Sequence, residues 1–292
     1  MELQWPLILF TTLVAWSAGV FGCQGVLALG GNAKKSQGVL TIVSVVLLAA
    51  SGIAVFFHLQ HWERIFNGFG HITSGITQEL IAIVVFVVIA IIFFALLRKS
   101  EESGTVPKWC AILAIVISLI LAAVCAHSYM MSARPAWNNL LEIASIVGAS
   151  CILGPATCAI VMAAKGDELE CVGRPALVGT VIGAVCAIAY AIFIQCSCSL
   201  FTNVGYYSDP TRSTYDMINV GSTVSSQAPL LWVGAVVVGA IVPLICVFLA
   251  KRKGDAASWK IFGAVAVVTA LIGAVCLRMA FYSMGLSVFM FY

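Results

Sequence analysis

The chain has 292 residues, of which 62% are hydrophobic and only 9% are charged, and its mean hydropathy is +1.07. A soluble domain carries about 25% charged residues, so this composition excludes a water-soluble protein and indicates an integral membrane protein. The formal net charge of +3 at pH 7 is small and gives no indication of a nucleic-acid partner.

Eight apolar runs follow one another along the chain, and each is long enough for a membrane-spanning helix, which needs roughly 20 residues. They cover residues 6–29, 39–59, 77–97, 109–131, 140–163, 176–197, 229–250 and 259–284. The runs are apolar throughout instead of alternating with a period of two, which favours helices over barrel strands. We therefore predict an all-α polytopic bundle of eight transmembrane helices, with residues 1–292 forming a single integral membrane domain.

Basic residues are unevenly distributed between the loops. The odd-numbered loops and their borders contain Lys34, Lys35, Arg98, Lys99, Lys108, Lys165, Arg174, Lys251, Arg252, Lys253 and Lys260, whereas the even-numbered loops contain only Arg64, Arg134 and Arg212. The positive-inside rule then predicts that the odd-numbered loops are cytoplasmic and that both termini are outside. We expect no cleavable signal peptide, because the N-terminus lacks a basic segment before its first span.

Ionisable residues are concentrated at the predicted outer ends of the spans. The polar connection 56–81 holds three of the four histidines. In chain order, the residues within or next to the spans are His58, Glu79, His127, Glu142 and Arg278. Charges at membrane depth are costly and usually mark a site or a pathway, so we expect these side chains to converge.

Each of these residues also has a simpler interpretation. His58 could be an interfacial histidine, and His127 could be hydrogen-bonded within the bundle. Glu79 and Glu142 could merely favour the N-termini of their helices. Arg278 lies deeper and needs a partner, which either glutamate could provide. Together the five residues favour a site.

Four kinds of chemistry are compatible with this arrangement. A histidine and a carboxylate that face an apolar pocket could bind a quinol and accept its protons. His58 and His127 could instead hold one haem b. An ion or proton pathway would need polar groups along the whole span, but the cytoplasmic halves of the spans contain almost no ionisable residues. The last possibility is a purely structural anchor. The eleven cysteines form no Cys-x-x-Cys ladder for a metal or an iron–sulfur cluster.

Several short motifs, in this order, resemble the membrane-anchor subunit of dimethyl sulfoxide reductase, within the wider group of polysulfide-reductase-like membrane subunits. The matching pieces are Trp5-Pro6-Leu7 with Phe10-Thr11, His58-Leu59 with Phe66-Asn67, Glu79, Tyr129 with Pro135-x-Trp137, Gly154-Pro155, and Arg278 with Phe281-Tyr282. The resemblance extends over the whole chain. The sequence departs from the family pattern after Leu59, where Gln60-His61-Trp62-Glu63 replaces a turn of small residues.

The resemblance implies a menaquinol-oxidising anchor in the bacterial cytoplasmic (inner) membrane that works in anaerobic respiration. Such a subunit holds no haem and no iron–sulfur cluster, and it does not itself reduce the terminal acceptor. It passes electrons to an iron–sulfur subunit, which supplies a molybdopterin catalytic subunit on the outer side. The resemblance assigns quinol binding to the histidine and the glutamate, which are His58 and Glu79 in this chain.

The predicted quinol site therefore has His58 and Glu79 as proton acceptors. We expect Arg278 to fix the carboxylate or a quinol oxygen, and Tyr129 and His127 to line the pocket. Trp62, Arg64 and Trp137, in the outer loops, are predicted to dock the iron–sulfur partner. A one-haem b-type cytochrome subunit and a purely structural anchor remain the alternatives.

Overall fold

The computed structural model describes residues 4–58, 71–100, 104–132, 134–200 and 220–285, and within these ranges the chain is helical without strands. The long helices are α1 (Trp5–Leu29), α2 (Gln37–Phe56), α3 (Gly75–Lys99), α4 (Lys108–His127), α5 (Leu140–Lys165) and α6 (Glu170–Gln195). They are followed by α7 (Val220–Ser226), a π-helical segment (Pro229–Ile241), α8 (Val242–Lys253) and α9 (Ala256–Ser283). The stretch Gly221–Lys253 forms one span, so the described residues contain eight helices that are long and apolar enough to cross a membrane. This confirms the predicted all-α bundle of eight spans.

Helices α1 and α5 lie at the centre of the bundle and are the most buried spans. Helix α1 packs against α2, α4 and α5, whereas α5 also packs against α6 and α9. The spans thus form two groups, α1–α4 and α5–α9, which meet along α1 and α5. The side chains of α3 that face away from α4 are large, apolar and exposed, for example Val88 and Ile91, as expected for a surface in contact with lipid.

Two helices end earlier than the apolar runs predicted. Helix α2 ends at Phe56, and a tight turn follows in which the His58 N–H donates to the Val55 carbonyl at 2.9 Å. Helix α4 ends at His127, and the chain turns again, with the Met130 N–H donating to the His127 carbonyl at 2.9 Å. Both turns lie at the same end of the bundle, so His58 and residues 128–131 belong to its surface layer and not to the spans.

Helix α6 begins at Glu170, six residues before the predicted start, and Pro175 lies inside it. The prediction was wrong because it placed the polar residues before Pro175 in a loop. An acidic residue such as Glu170 is favourable beside the partial positive charge of a helix N-terminus. A proline inside a span is tolerated because neighbouring groups can satisfy the carbonyl that it leaves free.

Candidate functional site: a cavity at one end of the bundle

A cavity of about 400 Å³ lies at the end of the bundle where α1 and α3 begin and α2, α4 and α9 end. We call this the site end. The lining residues are Gln4, Leu7, Phe10, Val55, His58, Ile76, Glu79, Leu80, Ile83, Ser128, Tyr129, Met131, Arg134, Trp137 and Tyr282. Most of them are apolar, and a few polar groups converge among them, which is the usual composition of a small-molecule pocket.

Glu79 faces this cavity from the second turn of α3. Its carboxylate accepts a hydrogen bond from the Ser128 hydroxyl at 2.5 Å. The start of α3 can approach Ser128 closely because residue 75 is glycine: a Cβ atom at Gly75 would lie 2.9 Å from the Ser128 Cα. The contact between Gly75 and the turn after α4 therefore positions the carboxylate.

His58 lines the same cavity from the turn that follows α2. Its side chain is exposed, in contrast to the partly buried Glu79. The structure thus brings a histidine from the turn after α2 and a carboxylate from α3 to one cavity. The imidazole has access to the surface, whereas the carboxylate is set further in.

Four aromatic side chains pack together at the cavity, three of which line it, and we call them the aromatic wall: Tyr129, Trp137, Phe281 and Tyr282. Trp137 stacks on Phe281 with a centroid distance of 4.7 Å, and Tyr129 meets each of the other three rings edge to face at 5.8–6.1 Å. The Trp137 indole N–H donates to the Phe281 carbonyl at 2.8 Å. Burial, reinforced by the nearby Tyr282 and Glu79, raises the pKa of Tyr129, so its phenol keeps its proton at neutral pH.

Arg278 does not line the cavity, and its partner is Glu142. The guanidinium donates to both oxygens of the Glu142 carboxylate, with Nη2 to Oε2 at 3.3 Å, and it also donates to the Ser145 hydroxyl. Glu142 is 0% exposed and Arg278 is 3% exposed. Asn139 caps α5 by accepting the Leu141 N–H at 2.8 Å, which places Glu142 in the first turn. Of the two possible glutamate partners, the structure selects the one on α5.

The other predicted residues have different positions. His127 is exposed at the end of α4 and does not line the cavity, unlike Tyr129 two residues later. Trp137, which was predicted to dock a partner, is only 5% exposed and lines the cavity. Trp62 and Arg64 lie outside the described residues.

The arrangement fits a haem poorly. Two histidines were candidate ligands for its iron, but only His58 lines the cavity and His127 does not. Within the part of the chain that the structure describes, no group of three or more His, Cys, Asp or Glu side chains could hold a metal ion.

Four polar lining residues were not predicted from the sequence: Gln4, Ser128, Arg134 and Tyr282. Ser128 and Arg134 lie within five residues of Tyr129, so the connection between α4 and α5 as a whole was the available signal. Tyr282 lies four residues after Arg278, on the same face of α9. The spacing of four residues from Arg278 was therefore the signal in the sequence that could have identified Tyr282.

Comparison with known proteins gives one finding. The family model for the DMSO reductase anchor subunit (DmsC) matches residues 1–286 of the chain. No curated protein matched the sequence.

Proposed function

Since the chain belongs to the family of DMSO reductase anchor subunits, we propose that it oxidises menaquinol in the cavity at the site end and passes the electrons to an iron–sulfur subunit. The family implies a multi-pass membrane protein that associates with the catalytic and iron–sulfur subunits of DMSO reductase. In the proposed complex, the molybdopterin-containing catalytic subunit uses the electrons to reduce the terminal acceptor.

The observation that carries this proposal is the shared cavity of His58 and Glu79. Its volume of about 400 Å³ lies within the usual range for small-molecule pockets, roughly 300–1,000 Å³. The cavity lies at the ends of helices that are exposed to lipid along their length, so an apolar quinol could enter it from the bilayer. Its walls are mainly apolar and aromatic, which suits a quinol ring.

The reaction removes two protons and two electrons from the quinol and leaves the quinone. Glu79 accepts one proton from a quinol hydroxyl, and His58, whose side chain is exposed at the surface of the bundle, accepts the other. The two electrons leave one at a time for the iron–sulfur partner. Tyr129 keeps its own proton and serves as a hydrogen-bond donor to a quinol oxygen.

The proposed orientation follows from the charges of the loops. The positive-inside rule places the basic, odd-numbered loops in the cytoplasm of a bacterium and the site end on the outer side of the inner membrane. The iron–sulfur and catalytic subunits then dock on the outer side, through loops that include Trp62 and Arg64. Trp137 belongs to the pocket in this proposal because its indole is buried in the aromatic wall.

The test is the oxidation of a menaquinol analogue by the membrane-assembled complex, with the native chain compared with Glu79→Gln at matched complex abundance. Glutamine retains the shape of glutamate but cannot accept the proton, so we expect quinol oxidation to fall by about a hundredfold or more. Reduction of the acceptor with an artificial dye as electron donor should be retained, since it bypasses the cavity. Unchanged quinol oxidation would leave the chain as a structural anchor.

A further inference from the structure

Among the described residues, Arg134 is the arginine that lines the cavity, whereas the sequence had suggested Arg278 for this position. The Arg134 guanidinium carbon lies 4.2 Å from the centroid of the Trp137 ring, and its side chain lines the cavity together with Glu79 and His58. Arg134 is partly buried. It therefore places a positive charge beside the space in which the proposed quinol binds.

Arg134 and Arg278, the two arginines at the site end among the described residues, differ in how their hydrogen-bond donors are used. Arg278 is paired with Glu142 and Ser145. The Arg134 guanidinium, with five N–H donors, forms no ion pair or side-chain hydrogen bond with any other residue in the described ranges; its contact is the face of Trp137. A partly buried guanidinium without an acceptor favours an anionic or oxygen-rich ligand.

The platform under Arg134 is rigid. Trp137 is 5% exposed, stacks on Phe281 with an interplanar angle of 15°, and donates its indole N–H to the Phe281 carbonyl. Phe281 also contacts the Arg278 guanidinium, whose central carbon lies 4.8 Å from the ring centroid. Successive contacts thus connect the buried ion pair to the wall of the cavity. A cation held on a fixed aromatic ring is positioned before the ligand arrives.

We propose that Arg134 binds an oxygen of the quinol and stabilises the anion that forms when the first proton leaves. This inference rests on the proposed function. The quinol O–H bond breaks, its proton goes to Glu79, and the negative charge remains on the quinol oxygen beside the guanidinium. Two electrons then pass to the iron–sulfur partner, the second O–H proton goes to His58, and the neutral quinone leaves. Because the quinone carries no charge, its interaction with Arg134 is weaker than that of the anion.

The role of Arg134 is tested with Arg134→Gln in the assembled complex, with menaquinol-analogue oxidation measured across a range of pH. Since the charge develops only during the reaction, kcat should fall by about a hundredfold while KM changes little. Without the cation the quinol is harder to deprotonate, so the rise of kcat should move to higher pH. Arg134→Lys keeps a positive charge and should restore the native pH profile, though not the full rate, because it lacks the planar fork.

The matched control is Arg98→Gln. Arg98 also lies over an aromatic ring, at 6.0 Å from the centroid of Phe94, but in the last turn of α3 at the opposite end of the bundle. This variant should behave like the native chain. If Arg134→Gln fails to assemble, Arg134→Met, whose apolar stem can still cover Trp137, carries the same expectation.

The outcomes separate this inference from the proposal on which it rests. If Glu79→Gln abolishes quinol oxidation while the neutral Arg134 variant keeps the native kcat and pH profile, Arg134 only packs on Trp137 and the inference is wrong. If neither variant changes quinol oxidation, the proposed function itself fails. A loss of rate in Arg134→Gln at an unchanged pH profile would also overturn the role in stabilising the anion.

Discussion

Two carboxylates near the site end have different partners. Glu142 is fully buried and paired with Arg278, whereas Glu79 is bonded to the Ser128 hydroxyl and forms no ion pair with any residue that the structure describes. The pairing therefore leaves Glu79 as the carboxylate available to a ligand and makes the other one a link between α5 and α9.

The Glu142–Arg278 pair should be required for assembly and not for quinol chemistry. Arg278→Met leaves a buried carboxylate unpaired, which costs about 3–5 kcal/mol. We expect a large loss of assembled complex and of thermal stability in detergent. The double variant Glu142→Leu/Arg278→Met should recover part of both, because no buried charge remains unpaired.

Quinol oxidation per assembled complex distinguishes this role from a direct one. Under our assignment it stays near the native value in Arg278→Met, since the residue does not line the cavity. Normal assembly combined with loss of quinol oxidation would instead indicate that Arg278 acts on the quinol, as the sequence suggested.

The hydrogen bond from Ser128 to Glu79 should affect the rate of quinol oxidation. The Ser128 hydroxyl donates to the carboxylate at 2.5 Å, and a hydrogen bond to a charged group contributes about 1.5–3 kcal/mol. We expect Ser128→Ala to lower quinol oxidation by about tenfold at unchanged complex abundance. Ser283→Ala is the control, because that hydroxyl, at the same end of the bundle, bonds only to the Met279 carbonyl of its own helix. Equal rates in the two variants would remove Ser128 from the site.

At the scale of the helices, the centre of the bundle depends on glycines. A Cβ atom at Gly154 of α5 would lie 2.1 Å from the backbone carbonyl carbon of Gly19 in α1, and one at Gly273 of α9 would lie 2.1 Å from the Cα of Gly239. The backbones are thus in direct contact, which is a common way for helices to associate in lipid. The contact of α1 with α5 also joins the two groups of spans.

Gly154→Val should therefore prevent correct assembly. The added side chain would force α1 and α5 apart, and overpacking of this kind costs about 1–3 kcal/mol or more. We expect a strong loss of complex abundance and a lower thermal unfolding temperature. Gly52→Val is the control, since a Cβ atom at Gly52 in α2 would meet no other atom within 4 Å. Similar losses in both variants would mean that valine is harmful at any glycine in these spans and not specifically at the contact with Gly19.

For the whole molecule, the basic residues of the described loops, apart from Arg134, lie at the end opposite the cavity. That end is held together by Asp167, which accepts the Ser36 hydroxyl at 2.6 Å and the Lys35 N–H at 3.3 Å. The loop between α5 and α6 is thereby joined to the loop between α1 and α2. Together with the positive-inside rule, this arrangement predicts one cytoplasmic face and an outer face that contains the cavity.

Native cysteines allow this orientation to be tested. Cys196 and Cys198 are exposed and follow α6 at the site end. A membrane-impermeant thiol reagent added to intact cells whose outer layers are made permeable should label them, and Cys196→Ser/Cys198→Ser should abolish the signal. A cysteine in place of the exposed Lys253, at the opposite end, should react only after the inner membrane is opened. The reverse pattern would invert the proposed orientation.

The proposed orientation has an energetic consequence. If protons and electrons both leave the quinol on the outer side, no net charge crosses the membrane through this chain. We expect rapid quinol-driven turnover in sealed vesicles to generate no membrane potential through this subunit, as measured with a potential-sensitive dye. A robust potential at matched turnover would contradict the placement of the cavity and of the electron exit on the same side.

The sequence by itself determined the number of spans and the end of the bundle at which the ionisable residues lie. Twenty apolar residues must be helical in lipid because no water satisfies the backbone. Because successive spans cross in opposite directions, their order then places His58 and Glu79 at the same end of the bundle.

Only the tertiary structure decided which side chains share the cavity. The choice of Glu142 for Arg278, the position of His127 away from the pocket, and the entry of Arg134 and Ser128 into it all depend on how each helix is rotated about its axis. That rotation is set by close contacts such as Gly19–Gly154 and Gly75–Ser128, and such contacts join residues far apart along the chain. The apolar spans have little periodicity to show which face of each helix turns inward. Packing between the helices therefore decides which side chains meet in the cavity.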